Sequence, residues 1–538
     1  MGISWTDEQK SVINSRHGNL LVSAAAGSGK TAVLVERILE MVMGVDADGN
    51  KAEEKIDIDE VLVVTFTRAA AAQMKEKIAD KLEQAAEEHP EDEHIVKQLS
   101  LLPRADIMTI DSFCLHVMRE HFDRLDIDPA FRVGDEGEML LMRADVMDGL
   151  LEDYYRDGGK RYEEFVDAYA TGKADGGIAE YVMQVYNFAQ SNPWPDAWYE
   201  KCREELLLTE QGELEQTEWM QFLLRDIALQ AQEWKIQLRE AWEICQETGG
   251  PMPYLPMIEE DLRHAEAVCG AAGSFETISE ALEQFTFSRL AAIRGKNGEV
   301  DPEKKALVSD CRGRVKKAVE KLKGEYLFAS PEQMLTDMEA GKERILELLE
   351  LAQEFGRRFR AKKKEKNVVD FHDLEHFALE ILTEPEAECS EAEETSSAEE
   401  TDQMQGKNAW TVRVPGTVAD ELAVQYDEIL VDEYQDSNLV QETLIQCISG
   451  ERFDRPNVFM VGDVKQSIYK FRLARPELFL EKYSTYTSEE SAHQKIELHQ
   501  NFRSRDHILE SINAIFYRIM TEKLGNISYT EDAALHPG

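Results

Sequence analysis

Three carboxylates stand close together in the segment VDEYQDSN, residues 431–438. Asp432, Glu433 and Asp436 directly follow an apolar run that ends at Val431. Because such a run favours a buried strand, we expect these side chains at the strand's carboxyl end. Acidic groups placed there could hold a divalent cation or take a proton from water. A solvated turn is the equally simple alternative.

A second motif, AAAGSGKT at residues 24–31, indicates what the carboxylates are for. It follows the apolar NLLVSA and precedes the helical AVLVERILEMV, the strand, loop and helix order of a phosphate-binding loop. Backbone N–H groups of such a loop surround phosphate oxygens at a helix amino terminus, where the dipole favours an anion. The predicted nucleotide-binding residues are Ala24, Ala25, Ala26, Gly27, Ser28, Gly29, Lys30 and Thr31.

Each motif then has a chemical role in handling ATP. Lys30 is expected to reach the β- and γ-phosphates, and Thr31 to ligate Mg2+. Asp432 would be the second residue on the magnesium side, and Glu433 would orient or deprotonate the attacking water. Ala24 stands where glycine is usual, which leaves the rest of the loop intact. The two motifs together predict ATP and Mg2+ as cofactors, with a plain glycine-rich turn as the alternative.

Composition limits the remaining possibilities. The 538 residues exceed one ordinary core, and the formal net charge of −46 means that any contact with DNA must be local. No apolar run approaches the roughly 20 residues of a membrane span, and the first residues lack a signal peptide's pattern. Seven scattered cysteines suggest neither a metal site nor disulfides. We therefore predict a soluble, cytoplasmic protein with no membrane contact.

The motifs lie in α/β regions that a helical region separates. Residues 1–130 alternate β-branched runs with helices, which predicts βα units on a parallel sheet, and this character returns over 367–504. Residues 131–366 follow a helical pattern. The fold class is therefore α/β, a P-loop parallel-sheet domain split by a large all-helical insertion. An acidic, low-complexity insertion is predicted at 383–417, since 383–402 holds nine acids and no base.

One apolar stripe within the helical region predicts ordinary core packing, because its members recur every three or four residues. The stripe consists of Met220, Leu224, Ile227, Ala231, Trp234, Leu238 and Trp242.

Taken with six further segments, the two motifs resemble those of the UvrD-like helicases of superfamily 1. The segments are TDEQKSVI (6–13, Q motif), TFTRAAAAQMKEKI (65–78, motif Ia), TIDSFC (109–114), DFHDLE (370–375), VGDVKQSIYKFRLARPELF (461–479, motif III) and LHQNFRS (498–504, motif IV). The long spacing between TIDSFC and DEYQD, together with VKQSIYKFRLARPE, favours the AddAB-type helicase–nucleases. RecB-type and UvrD-type repair helicases are the alternatives.

The resemblance implies further nucleotide contacts on a RecA-like domain. Gln9 would read the adenine edge, Phe502 would stack on the base, and Arg503 would stabilise charge on the transferring phosphoryl group. Arg37 would lie beside the nucleotide. Since TDEQ is also a capping box with Thr6 as N-cap, a structural role for Gln9 stays open. Arg37 as a helix-surface arginine and Arg503 in a salt bridge are the corresponding alternatives.

The resemblance also implies a DNA side. Gln435 and Gln466 resemble glutamines that link the γ-phosphate to the DNA groove. Base stacking on aromatic rings contributes about 1–3 kcal/mol per base, whereas core packing is the alternative for these rings. The implied DNA-binding residues are Phe66, Thr67, Arg68, Ser112, Tyr469 and Phe471.

The function implied is that of an ATP-dependent 3′-to-5′ DNA helicase, one component of a helicase–nuclease in double-strand break repair and homologous recombination. Its partners would be single-stranded DNA, duplex ends and an AddB subunit in a heterodimer. An ATP-gated DNA-binding module without motor activity is the alternative from another class. Residues 505–538 would begin a second helicase domain, and no motif V, motif VI or nuclease-like carboxylate cluster follows residue 504. We therefore expect an N-terminal portion that lacks the nuclease domain and has weak activity alone.

Overall fold

A computed structural model of the chain describes residues 5–16, 18–44, 55–170, 176–206, 211–271, 273–293, 300–385, 413–521, 528–531 and 533–538. Most of the predicted acidic insertion, residues 386–412, lies outside the described residues. Its two ends are described, and they form a short antiparallel strand pair.

The strands within these residues are β1 (Asn19–Ala24), β2 (Val61–Thr65), β3 (Asp106–Thr109), β4 (Arg132–Val133), β5 (Val368–Val369), β6 (Thr383–Pro385), β7 (Arg413–Pro415), β8 (Glu428–Val431), β9 (Val458–Gly462), β10 (His493–Leu498), β11 (Gln500–Asn501) and β12 (His536–Pro537).

The helices within the same residues are α1 (Asp7–Asn14), α2 (Lys30–Met43), α3 (Arg68–Glu88), α4 (Glu93–Leu101), α5 (Ile110–Glu120), α6 (Glu136–Asp157), α7 (Gly159–Tyr169), α8 (Gly176–Gln190), α9 (Pro195–Glu205), α10 (Gln211–Gln216), α11 (Glu218–Gln246), α12 (Leu255–Gly270), α13 (Phe275–Gln284), α14 (Pro302–Tyr326), α15 (Pro331–Lys366), α16 (Phe371–Leu382), α17 (Thr417–Gln425), α18 (Leu439–Ile448), α19 (Pro476–Thr485) and α20 (Asp506–Ile519). None of these described helices combines the length and the apolar character needed to cross a membrane.

Six parallel strands form the central sheet in the order β10-β1-β9-β8-β2-β3. Three of these strands precede the helical region in sequence and three follow it. The sheet therefore forms from two parts of the chain that the helical region separates. The predicted α/β fold, a parallel sheet interrupted by helices, is confirmed. The inner strands β2 and β9 read as continuous apolar runs because helices cover both faces of the sheet, whereas the edge strand β10, HQKIEL, is mostly polar and only partly buried.

Alternate residues of β2 show how the two faces are filled. Leu62 and Val64 pack into a core with α5, α16 and α18. Val61 and Val63 point to the other face and pack with α1, α2 and α3. Side chains of a strand alternate between faces, so every residue of this five-residue strand is buried.

The chain divides into two compact units. The first comprises Met1–Asp153, Ala179–Trp198 and Leu351–Gly538, and the second comprises Tyr154–Ile178 and Tyr199–Glu350. The stretch 131–366 is therefore shared between the two. Within the first unit, β4 pairs with β5, which brings together the points where the chain leaves and re-enters the α/β region. The described part of 505–538 also belongs to this unit, and β12 pairs with β11.

The second unit has its own apolar core, built on α11 to α14. The predicted stripe of α11 supplies much of it, which confirms that the stripe is core packing. Six stripe residues are buried, and the seventh, Trp242, is partly buried in a neighbouring cluster.

Candidate functional site

The glycine-rich segment forms the turn between β1 and α2, at the carboxyl edge of the sheet. Gly27 and Gly29 have φ values of 74° and 84°, in the left-handed region that favours glycine. A Cβ atom on Gly27 would lie 2.8 Å from Nδ2 of Asn501 and 2.9 Å from Cβ of Arg503. Lys30 is the first residue of α2, so the loop ends at a helix amino terminus, as a phosphate site requires.

The predicted carboxylates lie at the same edge. The N–H group of Asp432 donates to the carbonyl of Val64 at 2.9 Å, which extends the pairing of β8 with β2. Glu433 has a φ of 52°, uncommon for a residue with a side chain. Its Oε2 atom lies 2.8 Å from Nζ of Lys30, and the two side chains are 34% and 14% exposed. The two motifs therefore meet in an ion pair that remains open to solvent.

Asp432 is partly buried beside Glu433. Burial raises its pKa to about 6, and the charge of Glu433 adds to this, while Lys30 opposes it. A cation placed beside Asp432 would stabilise the ionised form. Mg2+ prefers oxygen ligands and is usually held by one or two carboxylates together with phosphates. The Thr31 hydroxyl, in the first turn of α2, and the Asp432 carboxylate fit that requirement.

No group of three or more His, Cys, Asp or Glu side chains in the described residues could hold a metal ion by itself.

A chain of hydrogen bonds leads away from Glu433. Gln435 is 1% exposed, and its Nε2 atom donates to Oε2 of Glu433 at 2.9 Å. Its Oε1 atom accepts from the N–H group of Asp463 at 3.0 Å. Asp463 in turn accepts from Nε2 of Gln466 at 2.8 Å. Gly462 makes this route possible, because a Cβ atom there would lie 2.2 Å from Oε1 of Gln435.

Residues 498–502 form hydrogen bonds with the glycine-rich loop. The hydrogen bonds run from Ala25 N–H to Leu498 O (3.1 Å), from Asn501 Nδ2 to Ala26 O (2.5 Å) and from Phe502 N–H to Gly27 O (2.9 Å). The side chains of Phe502 and Arg503 are exposed beside the loop. The structure thus brings both predicted residues next to the loop.

Gln9 is held by protein groups at both ends of its amide. Oε1 accepts from the N–H group of Thr6 at 3.0 Å, and Nε2 donates to the carbonyl of Ser28 at 3.0 Å. The capping box is present, and Gln9 is only 5% exposed. Its amide therefore connects the start of α1 to the glycine-rich loop.

Arg37 is not brought to the loop. Its Nε atom pairs with Oε1 of Glu428 at 2.6 Å, and its Nη1 atom donates to the carbonyl of Val12 at 2.6 Å. Glu428 begins β8, whereas Asp432 follows the end of that strand. Seven residues of α2 span about 10 Å, which carries Arg37 to the opposite edge of the sheet. It is 2% exposed, so it is not a helix-surface arginine either.

Three aromatic rings cluster beside the carboxylates. The ring centroids of Phe66 and Tyr469 lie 4.8 Å apart, and those of Tyr469 and Phe471 lie 5.8 Å apart. The Arg472 guanidinium lies over both of the latter rings, at 5.2 and 5.7 Å. Phe66 is 40% and Phe471 76% exposed, so neither ring is core packing.

The polar residues implied in DNA binding sit at the amino ends of α3 and α5. Thr67 caps α3 by accepting from the N–H group of Ala70 at 3.1 Å, and Arg68 is exposed next to it. The N–H group of Ser112 donates to Oγ1 of Thr109 at 3.3 Å. Since β2 and β3 lead directly into these helices, all three residues share the carboxyl edge with the aromatic rings.

A cavity of about 380 Å³ opens at this edge, and its wall includes carboxylates that lie in the quoted segments but to which no role was assigned from the sequence. Glu375, on α16, is buried and accepts from Nε2 of Gln441 at 2.8 Å. Burial raises the pKa of Glu375 to about 7, and the charge of Asp111 contributes. The available signal was an acid inside the apolar pattern LEHFALEIL, where a buried helix face is expected.

Comparisons with a family model and with curated proteins agree on one family. The UvrD/REP helicase N-terminal domain matches residues 5–487. Three curated relatives are each named as one subunit, designated A, of an ATP-dependent helicase/nuclease. They come from Lachnoclostridium phytofermentans (42% identity, 99% of this chain, 37% of the relative), Clostridium botulinum (40%, 100% and 41%) and Bacillus velezensis (40%, 99% and 41%). The chain thus spans about two fifths of the length of these relatives.

Proposed function

Because the chain belongs to the UvrD/REP helicase family, we propose that it carries the ATP site of a DNA-translocating helicase of the AddA type. The ion pair between Lys30 and Glu433 is the observation that carries this proposal. It joins the phosphate-binding loop to the carboxylate turn in the arrangement that hydrolysis of a nucleotide needs.

The ion pair suggests how nucleotide binding prepares the site. Lys30 contacts Glu433 at 2.8 Å, and the β- and γ-phosphates of ATP would compete for the same ammonium group. Once Lys30 turns to the phosphates, Glu433 loses its cationic partner and can accept a proton from water. Thr31 and Asp432 would hold Mg2+, which offsets phosphate charge when bound. Arg503, exposed beside the loop, would add positive charge during phosphoryl transfer.

DNA would bind at the aromatic cluster. Exposed rings such as Phe66 and Phe471 suit stacking against the bases of a single strand, and Arg472 supplies local positive charge on an acidic protein. The bonded route from Glu433 through Gln435 to Gln466 leads from the ATP site toward these rings.

The wider role rests on the name of the relatives, which describes one component of an ATP-dependent helicase/nuclease. We propose 3′-to-5′ movement on DNA at double-strand break ends, an AddB-type partner, and action in recombinational repair in the cytoplasm. A RecB- or UvrD-type repair helicase remains the second candidate.

Two substitutions test the ATP site. Lys30→Ala should weaken binding of a fluorescent ATP analogue about 10- to 150-fold, the loss expected for charge-assisted hydrogen bonds. Glu433→Gln should bind at least as tightly as wild type, since the amide no longer competes for Lys30, but phosphate release should stop. Equal loss of binding in both variants would contradict the proposal. Normal binding of nucleotide and DNA without DNA-stimulated phosphate release would favour the non-motor module.

A further inference from the structure

A buried polar triad lies behind the carboxylate turn. The hydroxyl of Tyr434 donates to Oε2 of Glu442 at 2.8 Å. Oε1 of Glu442 lies 2.9 Å from Nζ of Lys482 and accepts from Nε2 of Gln446 at 2.8 Å. Tyr434 is 2% and Glu442 5% exposed, so the hydroxyl and the carboxylate are shielded from solvent, whereas the Lys482 side chain is 21% exposed.

The members of the triad come from three different elements. Tyr434 follows Glu433 directly in the carboxylate turn, Glu442 lies on α18, and Lys482 lies on α19. The chain enters α19 immediately after the aromatic cluster. This helix also places Phe479 against Tyr434, with ring centroids 6.2 Å apart, and Nζ of Lys482 lies 5.9 Å from the Tyr434 ring centroid.

Backbone contacts join the same two segments between the triad and the ATP site. The N–H group of Arg475 donates to the carbonyl of Ser437 at 2.9 Å. The hydroxyl of Ser467 donates to the carbonyl of Gln435 at 3.4 Å. The segment that carries the catalytic carboxylates is therefore attached along its length to the segment that carries Tyr469 and Phe471.

Stability alone is a weak reason for such a triad. An apolar replacement of a buried ion pair often leaves a protein equally stable, because desolvation cancels much of the attraction. Charged hydrogen bonds do, however, fix one arrangement of the elements that carry them. Phe479 already packs on the Tyr434 ring, so the hydroxyl adds direction to an existing apolar contact.

We propose that Tyr434, Glu442 and Lys482 are positioning residues that couple the aromatic DNA site to the ATP site. The triad holds α19 in one register against the carboxylate turn, so that a shift of either segment is transmitted to the other. This inference rests on the proposed function. It adds a second connection to the route through Gln435 and Gln466.

Tyr434→Phe is the main test, because it removes one hydroxyl and leaves Glu442 paired with Lys482. Tyr426→Phe is the matched control, since its buried hydroxyl also donates to a carboxylate, Oδ2 of Asp106, at 2.8 Å. That tyrosine precedes β8, at the edge of the sheet opposite the ATP site.

The measurement is the affinity for fluorescein-labelled oligothymidylate, with and without a non-hydrolysable ATP analogue and Mg2+. The ratio of the two affinities is the coupling factor, for which we expect about five-fold or more in wild type. Tyr434→Phe should lower the factor about three-fold or more, with each ligand alone binding as in wild type. Tyr426→Phe should stay within about two-fold of wild type. Melting temperatures should fall by a similar small amount in both variants.

The possible outcomes separate the two proposals. An unchanged factor in Tyr434→Phe, an equal loss in Tyr426→Phe, or no coupling in wild type would overturn the role of the triad. Failure of the wild-type chain to bind either ligand would overturn the proposed function, and this inference with it.

Discussion

Helix α2 forms two ion pairs with the segment made of β8 and the turn that follows it, one at each edge of the central sheet. Lys30 starts the helix and pairs with Glu433, just beyond the end of the strand, at 2.8 Å. Arg37 lies two turns further along and pairs with Glu428, the first residue of the strand, at 2.6 Å. One helix therefore supplies both cations, and one short segment, β8 with the turn after it, supplies both carboxylates.

The two pairs differ in their surroundings. The side chains of Arg37 and Glu428 are 3% and 10% exposed, and the guanidinium also donates to a backbone carbonyl. Those of Lys30 and Glu433 are 14% and 34% exposed, and the carboxylate is on a residue with left-handed backbone. A buried cation held by a carboxylate and a carbonyl is shielded from a ligand, whereas an ion pair partly open to solvent can exchange partners. The positions of Lys30 and Arg37 in the sequence did not show that one cation is partly exposed and the other is buried.

The largest expected effect comes from the buried pair. Arg37→Met should lower the free energy of unfolding by about 3–5 kcal/mol, because the buried Glu428 would lose its ion pair and keep only the longer-range attraction of Arg16. Chemical denaturation followed by circular dichroism measures this loss. A second change, Glu428→Leu, should restore part of the stability, since it removes the unpaired charge. A variant that is as stable as wild type would show that burial does not separate the two pairs.

A smaller effect on folding stability depends on pH and comes from Glu375, at the carboxyl edge of the sheet. The pKa of Glu375 is about 7 in the folded chain, above its usual 4.5, so the folded state holds this proton more tightly than the unfolded state does. Stability due to this group therefore falls as pH rises from about 4.5 to 7, by up to about 3 kcal/mol. Glu375→Gln should remove that fall. Parallel curves of melting temperature against pH for wild type and variant would contradict the assignment.

The smallest effect belongs to the partly exposed pair. Lys30→Ala should change the free energy of unfolding by less than about 1 kcal/mol, because an ion pair that water can reach contributes little. The same variant should nevertheless lose nucleotide affinity, as proposed above. Denaturation beside Arg37→Met, under identical conditions, provides the check. Comparable destabilisation by both substitutions would remove the distinction between the two edges.

Local patterns were sufficient to predict the elements and the loop. β2 reads as VLVVT because both faces of the strand are covered, and the glycine-rich turn is specified by its own spacing. The motifs also placed Lys30 and Glu433 in one site, since parallel strands end at a common edge. These features depend on residues that are near in sequence or on a general rule of parallel sheets.

Partners that are distant in sequence were not predictable in the same way. The position of Arg37 on α2 was evident, but its pairing with Glu428 depends on the order of strands in the sheet. Similarly, Glu442 and Lys482 are ordinary charged helix residues in the sequence, and only their packing behind Tyr434 makes them a triad. For Gln9, the sequence indicated the capping box, which the structure contains. Its hydrogen bond to the glycine-rich loop, which is distant in sequence, was not indicated.

The position of β1 has a consequence for the order of events during protein synthesis. Its neighbours on both sides, β9 and β10, are made after the entire helical region. The glycine-rich loop also depends on late-made residues, because its hydrogen-bond partners lie at 498–502. An emerging chain therefore exposes an apolar strand without pairing partners until β9, which ends at Gly462, has left the ribosome, and such exposed apolar segments are the kind that chaperones bind. Acquisition of ATP affinity should accordingly be among the last steps in folding of this unit, since its loop closes only with the final strand.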